Sequence, residues 1–479
     1  MASASDYDVI VVGAGISGIN AGYRLQTEIK GCNYTILEAR DVLGGTWSLF
    51  KYPGVRSDSD LFTFGFPWKP WGGKTRFAQG DEIVSYMTEA AEEYGIDKRI
   101  QYGTSVKALN WNSEKSVWSV SVEKNGKRSV QTANFLVLGT GYYDYKSPLE
   151  TEIPGIKNFD GTVVHPQFWP EDLDYANKKV VIIGSGATAV TILPNMAEKA
   201  KHVTMLQRSP GYVMTLPNAK KELPRFVPSG LRWGYDYFRY LILPYVFFTF
   251  CRTFPNAARK IIRAATTKAL PKNVPHDPHF NPSYNPWEQR LCMSPDGDFF
   301  QSMHSGKANV VTGKIQTVTK NGITLENGEK LDADIIITAT GLKLLMAGGA
   351  AISLDNKPLE IPEKFLWRGM MLQDCPNLAV VLGYTNASWT LGADCTALVV
   401  TRLLKAMRER GQKAVTPHVE DPASLTPSSV FNLSSTYVTK NRSILPKAAD
   451  SGPWKARSNY FKDYAFASFG TLSEGLIFS

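Results

Sequence analysis

Cysteine is scarce in this chain of 479 residues. The five cysteines are far apart, odd in number and form no C-x-x-C pair: Cys32, Cys251, Cys292, Cys375 and Cys395. This distribution argues against a disulfide framework and a cysteine-ligated zinc site, and it predicts reduced thiols. Residues 1–7 are polar and lack the apolar segment of a secretory signal. We therefore expect a cytoplasmic protein.

A long hydrophobic run is also missing. The most apolar window, residues 240–251, has twelve residues, contains Pro244 and is flanked by Arg239 and Arg252. A window of this length is too short to span a bilayer as a helix. We interpret it as a buried core helix and leave open a peripheral membrane contact or a substrate channel.

Charge of one sign is not concentrated in a run. The net charge is +9, yet the chain has no stretch of five or more Lys or Arg residues. The scattered positive charge is better explained by a solvated surface that also favours anionic cofactors than by a nucleic-acid partner. His276 and His279 have the spacing of metal ligands but lie in a proline-rich loop, and we expect no metal site there.

A nucleotide fingerprint stands near the start of the chain. The apolar run Asp8–Val12 predicts a strand buried on both faces of a parallel sheet. A G-x-G-x-x-G loop follows at once, and then an apparent helix from Ile19 to Ile29. Such a loop turns tightly and lets the backbone approach a pyrophosphate at the helix N-terminus. The predicted contacts in this loop are Gly13, Gly15, Ser17 and Gly18.

The strand after this helix, residues 34–37, ends at Glu38. A carboxylate at that position can accept hydrogen bonds from the ribose hydroxyls. The acid fits FAD and disfavours a 2′-phosphate. The first fingerprint is therefore predicted to bind FAD.

The pattern repeats in the middle of the chain. The strand 179–183 precedes a G-x-G-x-x-A loop, whose predicted cofactor contacts are Gly184, Ser185, Gly186, Ala187, Thr188 and Ala189. The next strand, 203–206, is followed by Gln207 and Arg208 rather than by an acid. An arginine there can hold a 2′-phosphate, so we predict NADPH at the second site, with Arg208 and Ser209 as the phosphate contacts.

Two fingerprints and the strands between them predict an α/β fold with two Rossmann-like dinucleotide-binding domains. Residues 1–147 and 375–479 are assigned to an FAD-binding domain, and residues 148–210 and 295–374 to an NADPH-binding domain inserted in it. Residues 211–294 break the alternation of strands and helices and are rich in aromatic residues. We predict a mainly helical insert that covers the cofactors and shapes an apolar pocket.

The stretch between the fingerprints, from Phe159 to Pro170, has the form F-x-G-x-x-x-H-x-x-x-W-P. It resembles the signature of Baeyer–Villiger monooxygenases, flavoenzymes that convert ketones into esters or lactones with O2 and NADPH. Residues 44–58 read G-G-x-W-x-x-x-x-Y-P-G-x-x-x-D and resemble a second motif of that family. The resemblance extends from residue 6 to about residue 460. Residues 295–298 and 383–390 resemble its ethionamide-activating type.

The resemblance implies site residues. Arg290, at the end of the helical insert, matches the catalytic arginine, and Asp58 matches the aspartate that pairs with it beside the flavin. Many members have Lys before this arginine where the chain has Gln289, so NADPH preference would depend mainly on Arg208. His165 and Trp169 are expected to set the angle between domains. The further flavin contacts implied are Thr46, Trp47, Leu49, Arg56, Ser57, Asp58 and Val106.

The implied reaction begins with hydride transfer from NADPH to FAD and continues through a flavin C4a-peroxide. The unprotonated form attacks a ketone, and a cation such as Arg290 favours that form; we therefore predict Baeyer–Villiger oxygenation of an apolar ketone with O2. The protonated form oxidises sulfur or nitrogen, so oxidation of thioethers or thioamides is the alternative. A third hypothesis is a nucleotide-binding protein without catalytic activity. The presence of Arg290 and Asp58 disfavours it.

Overall fold

A computed structural model of the protein describes residues 5–220, 228–431 and 436–479. The N-terminal strands are β1 (Tyr7–Val12), β2 (Tyr34–Leu37), β3 (Ile100–Gln101), β4 (Thr104–Asn112), β5 (Val117–Lys124) and β6 (Lys127–Leu138). The helices among them are α1 (Ile16–Glu28), α2 (Thr46–Leu49), α3 (Leu61–Phe64) and α4 (Gly80–Glu93). β1 pairs in parallel with both β2 and β6, which explains the apolar run Val9–Val12.

The segment from β4 to β6 is an antiparallel excursion from this sheet. β6 is long enough to pair with β5 through its first half and with β1 through its second half. Its last residues lead to Gly139, which lies against the first glycine loop. The excursion therefore returns the chain to the predicted nucleotide site.

The second sheet contains β7 (Thr162–Val164), β8 (Lys179–Ile183), β9 (His202–Gln207), β12 (Ala308–Thr312) and β16 (Ile335–Thr338), with helices α5 (Ala187–Ala197) and α8 (Asp298–His304). It is wholly parallel, in the order β12-β9-β8-β16-β7. A small antiparallel sheet consists of β13 (Ile315–Thr319), β14 (Gly322–Leu325) and β15 (Lys330–Asp332). β8 and α5 repeat the relation of β1 and α1, which gives the second nucleotide-binding unit.

The predicted helical insert lies within the second unit. It consists of β10 (Val213–Leu216), α6 (Ser229–Thr253), α7 (Pro255–Ala269) and β11 (Cys292–Pro295), and β10 pairs with β11. The apolar window of α6 is not a buried core helix, because Leu243 and Val246 are exposed. Within the described ranges, no helix combines the length and apolar character that crossing a membrane requires.

The chain returns to the first sheet earlier than the sequence predicts. The returning strands are β17 (Ala351–Leu354), β18 (Lys357–Pro358), β19 (Leu366–Trp367), β20 (Met371–Leu372) and β21 (Leu378–Val380). β17 pairs with β4, so residues 351–372 belong to the first sheet and not to the predicted NADPH-binding domain. The free edge of β4 needs a hydrogen-bonding partner, which the periodicity of one strand could not reveal.

The last part of the chain packs on the first unit. It contains α9 (Trp389–Arg410), β22 (Val415–Pro417), β23 (Pro427–Ser429), α10 (Thr436–Lys440), β24 (Lys447–Ala449), α11 (Tyr460–Phe469) and β25 (Leu476–Phe478). α9 lies against α1 and α11. The tail, uninformative as sequence, adds the buried Trp454 to the core under the first sheet.

Candidate functional site

The first glycine loop lies at the carboxyl end of β1. Gly13 has a φ of +99°, and a Cβ atom there would lie 2.8 Å from the carbonyl oxygen of Gly139. A Cβ at Gly18 would lie 1.8 Å from the Gly13 carbonyl oxygen. Gly15 precedes α1 without a side-chain cap, so the first N–H groups of the helix are available to a pyrophosphate. The loop therefore fits a dinucleotide.

Glu38 stands beside this loop, as predicted. One of its carboxylate oxygens accepts the Ala14 N–H at 2.7 Å, and the other accepts the Arg40 N–H at 3.0 Å. The side chain is buried, and these two bonds fix its direction. The carboxylate has further lone pairs that can accept hydrogen bonds from ribose hydroxyls.

Two residues that the sequence analysis missed also define this loop. Trp389, the first residue of α9, donates its indole N–H to the hydroxyl of the buried Ser17 at 2.9 Å. The Tyr145 hydroxyl lies 3.2 Å from that of Thr46. Trp389 lies in the segment 383–390, which resembles the family, whereas Tyr145 has no sequence signal, because its role depends on how the chain leaves β6.

The loop of residues 44–58 covers the first fingerprint, as its glycines suggest. The Gly44 N–H donates to the Ala14 carbonyl at 3.0 Å, and Gly45 packs against Gly15. Trp47 makes an edge contact with Phe64, with ring centroids 5.6 Å apart. Leu49 ends α2 and is half-buried, and Val106 lies at an irregularity of β4. Their flavin contacts stay predictions.

The second glycine loop has the same construction at the end of β8. Gly184 has a φ of +137°, and its Cβ would lie 2.2 Å from the Ala339 carbonyl oxygen. Gly186 and Ala187 are exposed at the start of α5, whereas Ala189 is buried under it. A Cβ at Gly186 would meet open space, which leaves room for a phosphate group there.

Arg208 and Ser209 follow β9 directly and are exposed. The Ser185 hydroxyl donates to the Ser209 carbonyl oxygen at 3.1 Å. This bond joins the glycine loop to the segment predicted to hold the 2′-phosphate. The two parts of the predicted NADPH site are thus neighbours.

Replacement of Arg208 by Ala is expected to raise the KM for NADPH about ten- to hundredfold, because a charge-assisted bond to phosphate is removed. The KM for NADH, which has no 2′-phosphate, should be unchanged. Steady-state kinetics with both nucleotides measure this. Arg128→Ala, an exposed arginine of the antiparallel excursion, is the matched control. An equal loss with NADPH and NADH would contradict the assignment.

The segment Tyr52–Asp58 contacts both units. A Cβ at Gly54 would lie 2.0 Å from the Asn195 side chain of α5. Tyr52 is hydrogen bonded to Thr188 of the second glycine loop, and burial raises the pKa of its phenol to about 12. This segment, predicted to lie against the flavin, therefore also holds the second fingerprint.

Arg56 and Ser57 extend this contact. The Arg56 side chain is largely buried and forms an ion pair with Asp298 of α8 at 2.5 Å. Within the described ranges, its other terminal nitrogen is buried without a hydrogen-bond partner. The Ser57 hydroxyl donates to the Ser59 carbonyl and shapes the turn before α3. Arg56 thus links the loop to the second unit besides its predicted contact with FAD.

The segment that contains the predicted catalytic arginine lies beside the second glycine loop. Arg290 donates to the Tyr384 carbonyl oxygen at 3.3 Å. Two residues later, Cys292 is buried, with its sulfur 3.9 Å from the Ser185 carbonyl oxygen. Burial and the nearby charge of Asp58 raise the pKa of the Cys292 thiol to about 12. The structure therefore brings Asp58 close to the segment that begins at Arg290; their ion pair stays a prediction.

The signature stretch lies at the crossing between the two units. A Cβ at Gly161 would lie 2.4 Å from the Asp334 carbonyl oxygen, so this position requires glycine. The Nδ1 atom of His165 accepts the Gln167 N–H at 3.2 Å, and burial lowers the pKa of His165. The Gln167 side chain donates to the Asp144 carbonyl at 2.7 Å.

Asp144 in turn connects the two linkers between the units. Its backbone N–H donates to the Lys343 carbonyl at 2.8 Å, and its carboxylate pairs with the Lys343 ammonium at 3.3 Å. Trp169 packs on the core of the second sheet. These contacts support the hypothesis that His165 and Trp169 set the angle between the units.

Comparisons with known proteins agree with this geometry. The family model for flavin-binding monooxygenase-like proteins matches residues 70–347, and that for NAD(P)-binding Rossmann-like domains matches residues 11–71. The FAD-containing monooxygenase EthA of Mycolicibacterium smegmatis is 42% identical over 473 residues, which cover 98% of this chain and 96% of that protein. The chain belongs to the flavin-binding monooxygenase-like family.

Another relative of this flavin-binding monooxygenase is the probable FAD-binding monooxygenase AlmA of Acinetobacter baylyi, 39% identical over 98% of this chain and 95% of that protein. Among solved structures, open cyclohexanone monooxygenase is 19% identical with a TM-score of 0.76 and covers 99% of both chains. NADP-bound steroid monooxygenase is 20% identical with a TM-score of 0.75 and covers 98% of this chain and 99% of that one. These two solved structures show that the chain shares their fold.

The comparisons confirm the predicted family, the α/β fold with two nucleotide-binding units, and the class of the enzyme. This monooxygenase uses FAD and NADPH. The described residues contain no cluster of three or more His, Cys, Asp or Glu side chains suited to a metal ion.

Proposed function

We propose that this flavin-binding monooxygenase converts apolar ketones into esters or lactones. The observation that carries the proposal is the place of Arg290. The guanidinium bonds to Tyr384, which precedes the helix whose Trp389 touches Ser17 of the first glycine loop. The segment after Arg290 contacts Ser185 of the second loop. These contacts support a position for the cation between the two glycine loops.

FAD and NADPH, when bound, supply the electrons and the activation of O2. Arg290 contributes a permanent positive charge that stabilises negative charge on a reacting oxygen. At about 4 Å and an effective dielectric constant near 20, such a charge contributes roughly 4 kcal/mol. The stabilised anion is a nucleophile that adds to a carbonyl carbon, and the same charge stabilises the alkoxide of the adduct. Asp58 would orient the guanidinium by a charge-assisted bond.

Aromatic side chains near this position favour an apolar substrate. The ring of Phe248 in α6 meets that of Trp287 edge-on at 5.5 Å, three residues before Arg290. On the same helix, Tyr240 stacks on Phe62 at 4.6 Å. Apolar walls also exclude water, which protects a reactive oxygen species from hydrolysis and leakage.

A substrate panel tests the proposal. The purified protein is incubated with NADPH, labelled dioxygen and either a straight-chain methyl ketone, a cyclic ketone or an aryl methyl sulfide. We expect an ester or lactone that carries one labelled oxygen, formed in proportion to the NADPH consumed, as measured by mass spectrometry. Oxidation of the sulfide without any ester would instead establish the alternative, oxidation at sulfur or nitrogen centres.

A further inference from the structure

The outer face of α6 and α7 is exposed and apolar. Half of the fourteen large hydrophobic side chains that are strongly exposed in the described ranges fall between residues 231 and 261. These side chains are Leu231, Tyr235, Phe238, Leu243, Val246, Phe254 and Ile261, and each is more than half exposed. We name this set the outer face. A concentration of this kind marks a contact surface in a water-soluble fold.

The opposite side of α6 is already occupied by the protein. Tyr240 stacks on Phe62, and Cys251 is fully buried. Asp236 is buried and forms an ion pair with Lys220 at 2.8 Å. One side of the helix therefore packs on the protein, and the side turned away from the protein is also apolar. Packing within the chain explains the inner side and leaves the outer face without a function.

The charge around the outer face is strongly positive. Residues 228–272 contain eight Lys or Arg residues and a single acidic one, Asp236, which leaves +7 of the net +9 of the whole chain. Because Asp236 is buried in its ion pair, its charge does not oppose the basic side chains at the surface. Exposed basic residues include Arg252, Lys260 and Lys268.

We propose that the outer face docks on an anionic lipid bilayer, with α6 lying in the plane of the headgroups. An amphipathic helix binds a membrane surface through its apolar side chains and through Lys and Arg attracted to anionic lipids. A second copy of the chain fits the surface poorly, because it would bring two lobes of charge +7 together. Pro244 and the polar ends of α6 agree with a helix on the membrane surface.

Docking would bring the enzyme to the phase in which apolar compounds dissolve. The inner side of the same helix reaches the aromatic residues beside Arg290. The proposal does not depend on which substrate is oxidised, because it rests on the exposed side chains and the charge alone.

Vesicle flotation tests the proposal. The flavin-loaded protein should float with vesicles that contain phosphatidylglycerol and remain unbound with vesicles of phosphatidylcholine alone. Phe238→Gln combined with Val246→Gln should lower the bound fraction at least about tenfold, since two apolar side chains would no longer be buried in the lipid. Val130→Gln combined with Phe469→Gln removes apolar side chains that are at least as exposed elsewhere and should not change binding. Both variants should keep bound flavin and NADPH oxidation.

Failure of the wild-type protein to float with anionic vesicles would overturn the proposal. An equal loss of binding in both double variants would also overturn it, because binding would then not be specific to the outer face. Analytical ultracentrifugation tests the other possible occupant of the outer face, a second copy of the chain. A wild-type dimer that the Phe238 and Val246 substitutions dissociate would assign the outer face to self-association instead.

Discussion

Replacement of Arg290 by Ala is expected to lower the rate of ester formation roughly a thousandfold, the equivalent of about 4 kcal/mol for a charge lost beside the reacting oxygen. Flavin reduction by NADPH should continue, because the positive charge is assigned to the oxygen chemistry that follows hydride transfer. Without the cation, oxygen activated at the flavin should be released as hydrogen peroxide. Stopped-flow measurement of flavin reduction, together with ester and peroxide assays, separates the steps.

The control for Arg290 is Arg263→Ala, which removes an exposed arginine of α7 that pairs with Asp277. Ester formation in this control should equal that of the wild type. Arg290→Lys keeps the positive charge but loses the planar donor group, so it should retain part of the activity. Ester formation by Arg290→Ala within tenfold of the wild-type rate would show that another group stabilises the negative charge.

Replacement of Gly18 by Ala is expected to abolish FAD binding. The added Cβ would lie 1.8 Å from the Gly13 carbonyl oxygen, so α1 would have to move away from β1. Overpacking of this kind costs about 1–3 kcal/mol or more, and the displacement also moves the helix N-terminus away from the pyrophosphate. The absorbance ratio of flavin to protein in the purified variant measures the loss.

Gly186→Ala tests the second fingerprint at the position that corresponds to Gly15, where the added Cβ would meet open space. This variant should fold and remain yellow. Its KM for NADPH should rise about tenfold, since the methyl group occupies the space into which a phosphate fits. Full FAD occupancy in Gly18→Ala, or a normal KM for NADPH in Gly186→Ala, would contradict the assignment of these loops. Circular dichroism verifies that both variants are folded.

The nucleotide fingerprints could be predicted because they are local. A buried strand, a glycine loop and a helix lie next to one another in the chain, and the loop needs glycine for reasons that a few residues determine. Gly13 and Gly184 have positive φ angles beside a neighbouring carbonyl, as such loops require. Glu38 was found in the same way, because the end of the next strand always reaches this loop.

The residues that were missed depend on contacts between distant parts of the chain. Tyr384 receives the hydrogen bond of Arg290, although the two are 94 residues apart. β17 joins β4 across more than 200 residues, and this pairing moves the return to the first sheet ahead of the predicted position. The exposure of α6 was likewise not readable from hydropathy. An apolar helix has the same sequence pattern whether its outer side meets protein or lipid.

The loop from Tyr52 to Asp58 contacts both units, so a hinge motion between the units would move the residues that are predicted to lie beside the flavin. Rotation of the second unit must separate Arg56 from Asp298 and Tyr52 from Thr188, because each pair joins the loop to a helix or glycine turn of that unit. Departure of the spent nicotinamide nucleotide by such a rotation would therefore pull on the segment that carries Asp58. A rotation of this kind would act on seven consecutive residues, from Tyr52 to Asp58.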